Sequence, residues 1–311
     1  MFEMNAAFLT QQDNIMPETT ETVGFIGLGL MGHGMAVNIV AKGYPLTVVA
    51  HRKREAVDDL VTRGAIEAGS IADLAARCSV VLLCLTGSPE VAAAVAAMKP
   101  ALAKGTVIVD CSTSDPTVSL TLAAELAAIG VDFVDAPLSR TPKEAWAGAL
   151  DCMVGASDAS FARVQPILAC CAAKIVHIGA VGDGHKMKLL NNFLSLGYAA
   201  LYSEALALSR KVGIPVAEFD KVIRGGRMDC GFYQTFMGYA LDGNREAHRF
   251  TLSNGYKDMR YVEAMANAAT VATPMASAVK NSFATAMATG GNGPEDYVPH
   301  LSDFIARANG L

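Results

Sequence analysis

Lys188, Asn192 and Ser195 are spaced i, i+4 and i+7 in the sequence. On a helix this spacing brings them to one face, with Asn191 at its flank. A lysine beside an amide and a hydroxyl can move a proton to or from a small polar molecule. A free lysine has a pKa near ~10.4, too high for efficient acid–base work at neutral pH. Burial or a second nearby cation would lower it. Lys186 falls off this face and reads as solvated.

A second chemical signal is Gly27-Leu28-Gly29-Leu30-Met31-Gly32, a Gly-x-Gly-x-x-Gly run. It follows a strand pattern and opens a helix pattern, which is the context that gives such a run meaning. The first glycine permits a tight turn, the second lets backbone approach a pyrophosphate, and the third lets helix and strand pack closely. The helix start then offers free N–H groups to the phosphates. A dinucleotide is the expected ligand. An acidic residue about 20 residues on would accept from an NAD ribose. This chain instead has His51-Arg52-Lys53-Arg54, with no carboxylate before Glu55. Arg52, with Lys53 or Arg54, suits a 2′-phosphate. NADP is therefore expected, with NAD as the alternative.

The elements that must hold these residues alternate. Strand patterns occur at Thr22–Ile26, Leu46–Val49, Val80–Cys84, Val107–Val109, Phe133–Val134, Asp151–Val154 and Lys174–His177. Helical stretches lie between them, among them Met31–Lys42, Glu55–Thr62, Pro89–Met98 and Pro116–Ala128. Such alternation means an α/β fold with a doubly wound, mostly parallel sheet. Asp110-Cys111-Ser112-Thr113-Ser114-Asp115-Pro116 and Asp135-Ala136-Pro137-Leu138-Ser139-Arg140-Thr141 fall at strand ends, where ligands bind in open sheets. After about residue 180 the strands stop. Leu189–Lys211 reads as one long helix, with further helices near Pro215–Ile223, Asn254–Ala268 and Pro274–Ala288. Residues 290–294 read as a turn. The expected organisation is a polar tail over residues 1–20, a nucleotide domain over 21–181, and an all-helical domain over 182–311 joined by the long helix.

Composition sets limits. Of 311 residues, 52% are hydrophobic and 18% charged, with a net charge of −5. No apolar run approaches the ~18 residues of a membrane span. Mild acidity speaks against a nucleic-acid surface. Seven cysteines without a Cys-x-x-Cys suggest neither a disulfide framework nor a zinc site, and a reducing cytoplasm fits best. His177, His248 and His300 lack ligand spacing and read as structural. The apolar surplus must be buried in cores or between subunits, so a homodimer or homotetramer is expected.

The chain resembles the β-hydroxyacid dehydrogenase family, which includes hydroxyisobutyrate dehydrogenases and tartronate semialdehyde reductases. The resemblance rests on Gly27–Gly32, Asp110-x-Ser112-Thr113-x-x-Pro116, Asp135-Ala136-Pro137, Gly184-x-x-x-Lys188-x-x-Asn191-Asn192 and Lys257-Asp258-Met259. It implies a Rossmann-type domain followed by a helical one, and hydride transfer between NADP(H) and a small anionic hydroxyacid or semialdehyde. Lys188 matches the catalytic lysine and Asn192 the asparagine holding substrate beside it. Ser112 matches a substrate-facing serine, and Thr113 a residue touching the nicotinamide half. Leu85 and Thr86 match a strand end lining the cofactor, and Lys257 a lysine that closes over the cleft.

One departure stands out. The family commonly has Ser-Gly-Gly where this chain has Ser139-Arg140-Thr141. An arginine there resembles the sulfolactaldehyde reductase branch, as does Asn191-Asn192-x-x-Ser195. Arg140 would give a bidentate site for a sulfonate, carboxylate or phosphate. Two other readings share the fold: a non-catalytic NADP-binding regulator, which the lysine speaks against, and an imine reductase, which usually replaces it.

Overall fold

A computed structural model of the chain describes residues 21–291 and 296–311. The expected tail and the distal part of the 290–294 turn lie outside the described residues. In chain order the elements are β1 (Val23–Ile26), α1 (Gly32–Ala41), β2 (Leu46–Val49), α2 (Glu55–Thr62), β3 (Ile66–Ala68), α3 (Ile71–Arg77), β4 (Val80–Leu83) and α4 (Ser88–Met98). Then come β5 (Val107–Asp110), α5 (Pro116–Ala127), β6 (Asp132–Asp135), β7 (Leu138–Ser139), α6 (Pro142–Trp146), β8 (Leu150–Gly155), α7 (Asp158–Leu168) and β9 (Ala172–Gly179). Helices complete the chain: α8 (Asp183–Lys211), α9 (Val216–Ile223), α10 (Gly231–Ala240), α11 (Leu252–Ala268), α12 (Pro274–Ala288) and α13 (Leu301–Ala308).

The sheet runs β3-β2-β1-β4-β5-β6-β8-β7, with β9 paired to β8. Strand order reverses between β1 and β4, the switch point at which open α/β sheets bind ligands. The pairs from β3 through β6 are parallel. β8 runs antiparallel to β6 and β7, and the sheet as a whole is mostly parallel, as the alternation implied. β1, β4 and β5 are fully buried along their length. Strands covered on both faces become continuous apolar runs; each fully buried Val or Leu stabilises the fold by roughly 1.5–3 kcal/mol.

α8 begins at Asp183, a turn and a half before the apolar pattern at Leu189. Gly184 lies inside it because the helix presses on the sheet: a Cβ there would sit 2.5 Å from the Met153 carbonyl oxygen. The 29-residue helix then runs through the second core, packing Leu189, Leu196, Ala199 and Leu206 against α10, α11 and α12. Among the described residues no helix is long and apolar enough to cross a membrane.

Candidate active site

The glycine run forms the turn between β1 and α1. Gly27 has φ +102°, a left-handed value that favours glycine, and a Cβ on it would fall 2.2 Å from the Cys84 carbonyl oxygen. A Cβ on Gly32 would lie 2.0 Å from the Gly27 carbonyl oxygen, so only glycine lets α1 start this close to β1. Gly29 meets nothing within 4 Å and is exposed together with Leu30, while Leu28 and Met31 pack partly on the core. Two glycines are thus required by packing and the third opens outward. This arrangement fits a dinucleotide pyrophosphate.

His51, Arg52, Lys53 and Arg54 follow β2 and are all exposed. Arg54 is already engaged: its guanidinium meets Glu67 at 2.9 Å and Asp58 at 3.0 Å. Arg52 and Lys53 are left as the cations of this turn.

Two strand ends meet the helical domain at one place. The Ser112 hydroxyl accepts from the Leu85 N–H at 2.9 Å, locking the end of β4 to the loop after β5. Lys257, on α11, donates to the Thr86 carbonyl at 2.5 Å and the Thr113 carbonyl at 3.0 Å. It spans two loops of the sheet from the helical side. Gly87 makes room for it, since a Cβ there would stand 3.1 Å from Lys257 Cδ. The Lys257 ammonium also lies 3.1 Å from the buried Asp258 carboxylate, whose other oxygen accepts from Asn192 Nδ2 at 2.6 Å. Asn191 and Ser195 stay partly exposed at the edges of this face, and Ser195 donates back to the Asn192 carbonyl at 3.3 Å.

Lys188 sits on α8 beside this network. Its ammonium is pushed down to about 8, chiefly by burial and further by the Lys257 charge, against the opposing pull of Asp258. This is the shift an acid–base lysine needs. Lys186 is exposed and pairs with Asp183 at 2.8 Å.

The Ser139–Thr141 loop is not drawn into this network. Arg140 is exposed and pairs with Asp151 at 3.0 Å. The Thr141 backbone N–H and hydroxyl both bond Glu144 at the start of α6, so that hydroxyl is occupied by a helix start.

Several supporting residues are given no role by the sequence. His185 is fully buried one turn before Lys188. Its Nδ1 meets the Ser119 hydroxyl at 2.8 Å and its Nε2 the Ser112 carbonyl at 3.1 Å. The buried Asp135 carboxylate accepts from the Gly182 and His185 N–H groups at 2.6 and 2.7 Å. Burial raises its pKa despite those bonds. Asp110 accepts from the Ser112 N–H and the Ser114 hydroxyl, fixing the loop after β5. His248 is held down to about 4 by burial and by the Lys188 charge, so it is neutral near pH 7 and close enough to feel that lysine. The signals were Asp110, Asp135 and His185 inside the recognised motifs; His248 lies in none. Among the described residues no group of three potential metal ligands occurs.

The reversed strand order, the glycine turn and the lysine on the joining helix define a two-domain, nicotinamide-dependent oxidoreductase. Residues 22–179 match the model for the NAD binding domain of 6-phosphogluconate dehydrogenase, and residues 182–299 that for the NAD-binding region of NADP-dependent 3-hydroxyisobutyrate dehydrogenase. The chain belongs to the β-hydroxyacid dehydrogenase family. It is 35% identical over 210 residues to 2-(hydroxymethyl)glutarate dehydrogenase of Eubacterium barkeri, covering 66% of this chain and 69% of that one. It is 28% identical to 3-sulfolactaldehyde reductase of Escherichia coli K12, over 88% of this chain and 93% of that one. The solved 3-hydroxyisobutyrate dehydrogenase of Mycobacterium tuberculosis, studied with L-serine, superposes with a TM-score of 0.81 at 25% identity, over 91% and 99% of the two chains. An imine reductase from Pseudomonas is more distant, with a TM-score of 0.60 at 18% identity, and shares the fold.

Proposed function

We propose that this enzyme interconverts a small anionic 3-hydroxyacid and its semialdehyde with NADP(H), using Lys188 as the proton donor and acceptor. The observation that carries the reading is the Lys188 ammonium, lowered to about 8 beside Asp258, Lys257 and Asn192. The Gly27–Gly32 turn would hold the pyrophosphate, while Leu85, Thr86 and Thr113 would line the nicotinamide end. Arg52 and Lys53 would face a 2′-phosphate, which favours NADP. A bound nicotinamide supplies the hydride in reduction and takes it in oxidation. Lys188 Nζ gives its proton to the substrate oxygen in reduction and removes it in oxidation. Asn192, oriented by Asp258, positions that oxygen, with Asn191 and Ser195 at the edge of the same face. Ser112, Ser139 and Arg140 take the acid group. Relatives named for hydroxyisobutyrate, sulfolactaldehyde and 2-(hydroxymethyl)glutarate support a small acid of this general class.

The active unit is a homodimer or a tetramer built from it. Leu190, Leu194, Tyr198, Leu201 and Leu208 form an exposed apolar stripe along α8, each between 41% and 63% exposed. Their spacing follows one helix face, opposite the packed residues of the second core. A second copy of the same stripe would bury it.

A panel of hydroxyacids and semialdehydes assayed with both cofactors tests the reading. Turnover with at least one small 3-hydroxyacid, faster with NADP(H), is expected. Equal rates with NAD(H) would defeat the Arg52 argument, and no turnover with any member would defeat the activity.

A further inference from the structure

The β7–β8 hairpin carries polar groups that the packing leaves open. Ser139 and Asp151 are register partners across it. Along β8, Leu150, Cys152 and Val154 enter the core of the nucleotide domain. Side chains alternate along a strand, so Asp151, Met153 and Gly155 stand on the other face. That face carries the start of α8: a Cβ on Gly155 would lie 2.8 Å from the Gly184 nitrogen. Ser139 and Asp151 are therefore on the side of the sheet that receives the lysine-bearing helix.

Two atoms on this side, Ser139 Oγ and Asp151 Oδ1, are buried and have no hydrogen-bond partner among the described residues. Leaving such atoms unpaired typically costs about 1–3 kcal/mol each. The second oxygen of Asp151 takes Arg140 Nε at 3.0 Å. Arg140 itself holds φ +84°, a left-handed backbone that glycine adopts freely and arginine does not. A strained backbone at Arg140 and open polar valences on Ser139 and Asp151 thus coincide on three neighbouring residues. A carboxylate only accepts hydrogen bonds. Its open oxygen cannot receive a substrate's acid group, and it calls for a donor beside that group.

We propose that Asp151 is a specificity-determining residue, whose open oxygen accepts a hydrogen bond from a hydroxyl or ammonium on the carbon next to the substrate's carboxylate, while Arg140 and Ser139 hold the carboxylate. The inference rests on the dehydrogenase reading above. It narrows that reading to 3-hydroxyacids with a donor at C2.

Four acids of one skeleton test it: 3-hydroxypropanoate, 3-hydroxyisobutyrate, glycerate and serine, which carry hydrogen, methyl, hydroxyl and ammonium at C2. Their kcat/KM values with NADP⁺ are compared in the wild type, Asp151→Leu and the near-isosteric Asp151→Asn. Methyl and hydroxyl are similar in size, so shape alone separates them weakly, whereas a paired donor separates them by about tenfold or more. The wild type is expected to favour glycerate or serine over 3-hydroxyisobutyrate by at least about tenfold, and Asp151→Leu to abolish that ratio. Asp151→Asn keeps part of a glycerate preference, because its amide oxygen still accepts, and loses a serine preference, because the charge is gone. A wild type that favours 3-hydroxyisobutyrate, or ratios within twofold of wild type in both variants, overturns the inference alone. A wild type that oxidises none of the four but turns over another member of the wider panel overturns this inference alone, and one that turns over no member with either cofactor overturns the dehydrogenase reading and this inference with it.

Discussion

The two halves of the candidate site are built to different standards. Around Lys188 most polar groups are engaged: Asp258 holds Asn192 through one oxygen, its other oxygen has no hydrogen bond but lies 3.1 Å from the Lys257 ammonium, Lys257 ties two loops, and His185 joins Ser112 to Ser119. Around Arg140 the backbone is left-handed, the guanidinium is exposed, and two buried oxygens lack partners. Preorganisation helps where charge moves, because dipoles already in place need not reorganise during the reaction. Where a substrate is recognised, open valences are what a ligand completes. The difference teaches that fixed bonding marks the chemical half and unfinished bonding marks the reading half.

Substitutions can break that contrast. The largest effect is expected for His185→Leu. It strips a partner from the buried Ser112 carbonyl and Ser119 hydroxyl, and should lower stability by about 3 kcal/mol or more in urea unfolding. A loss under about 1 kcal/mol would mean the network around Lys188 is looser than its geometry. Asn192→Ala comes next. It leaves an Asp258 oxygen unpaired and the substrate oxygen unplaced, so kcat should fall about 10²-fold, some 2.7 kcal/mol. A change confined to KM would show that Asn192 binds without orienting. The smallest effect is at the other half. Arg140→Gly should shift stability by less than about 1 kcal/mol, since relief of strain is offset by the Asp151 oxygen it unpairs, while weakening affinity for the acid. An unaltered KM would reverse that part of the contrast.

Legibility in the sequence follows the same line. β1, β2, β4 and β5 are readable because buried parallel strands are unbroken β-branched runs. β3 and β7 span three and two residues, too few to leave a period. The antiparallel entry of β8 has no local signature, because pairing direction is decided by the partner strand. α10 escapes because Gly231 and Gly238 dilute its pattern while Tyr233, Phe236 and Met237 bury. α8 looks shorter than it is because Asp183 to Lys188 is largely polar and carries Gly184, so the apolar pattern starts only at Leu189. In the site, the spacing of Lys188, Asn192 and Ser195 is written in the helix period itself. Asp258 and Lys257 come to Asn192 and the strand-end loops only through the packing of α11 on α8. The pairings of Arg54 with Glu67 and of Arg140 with Asp151 join separate elements, and no spacing within one segment could announce them.

The most direct test of the account is the pH dependence of kcat/KM for oxidation in the wild type and in Lys188→Ala, with NADPH affinity measured alongside. Oxidation needs Lys188 neutral, so wild-type activity should rise with pH and level off above about 8, while the reductive reaction should decline over the same range. In Lys188→Ala the inflection should vanish and the rate should drop by about 10²-fold or more, with NADPH bound as tightly as before. A variant that keeps its rate within a few-fold, or the same inflection near pH 8, would contradict the assignment of Lys188 as the acid and base.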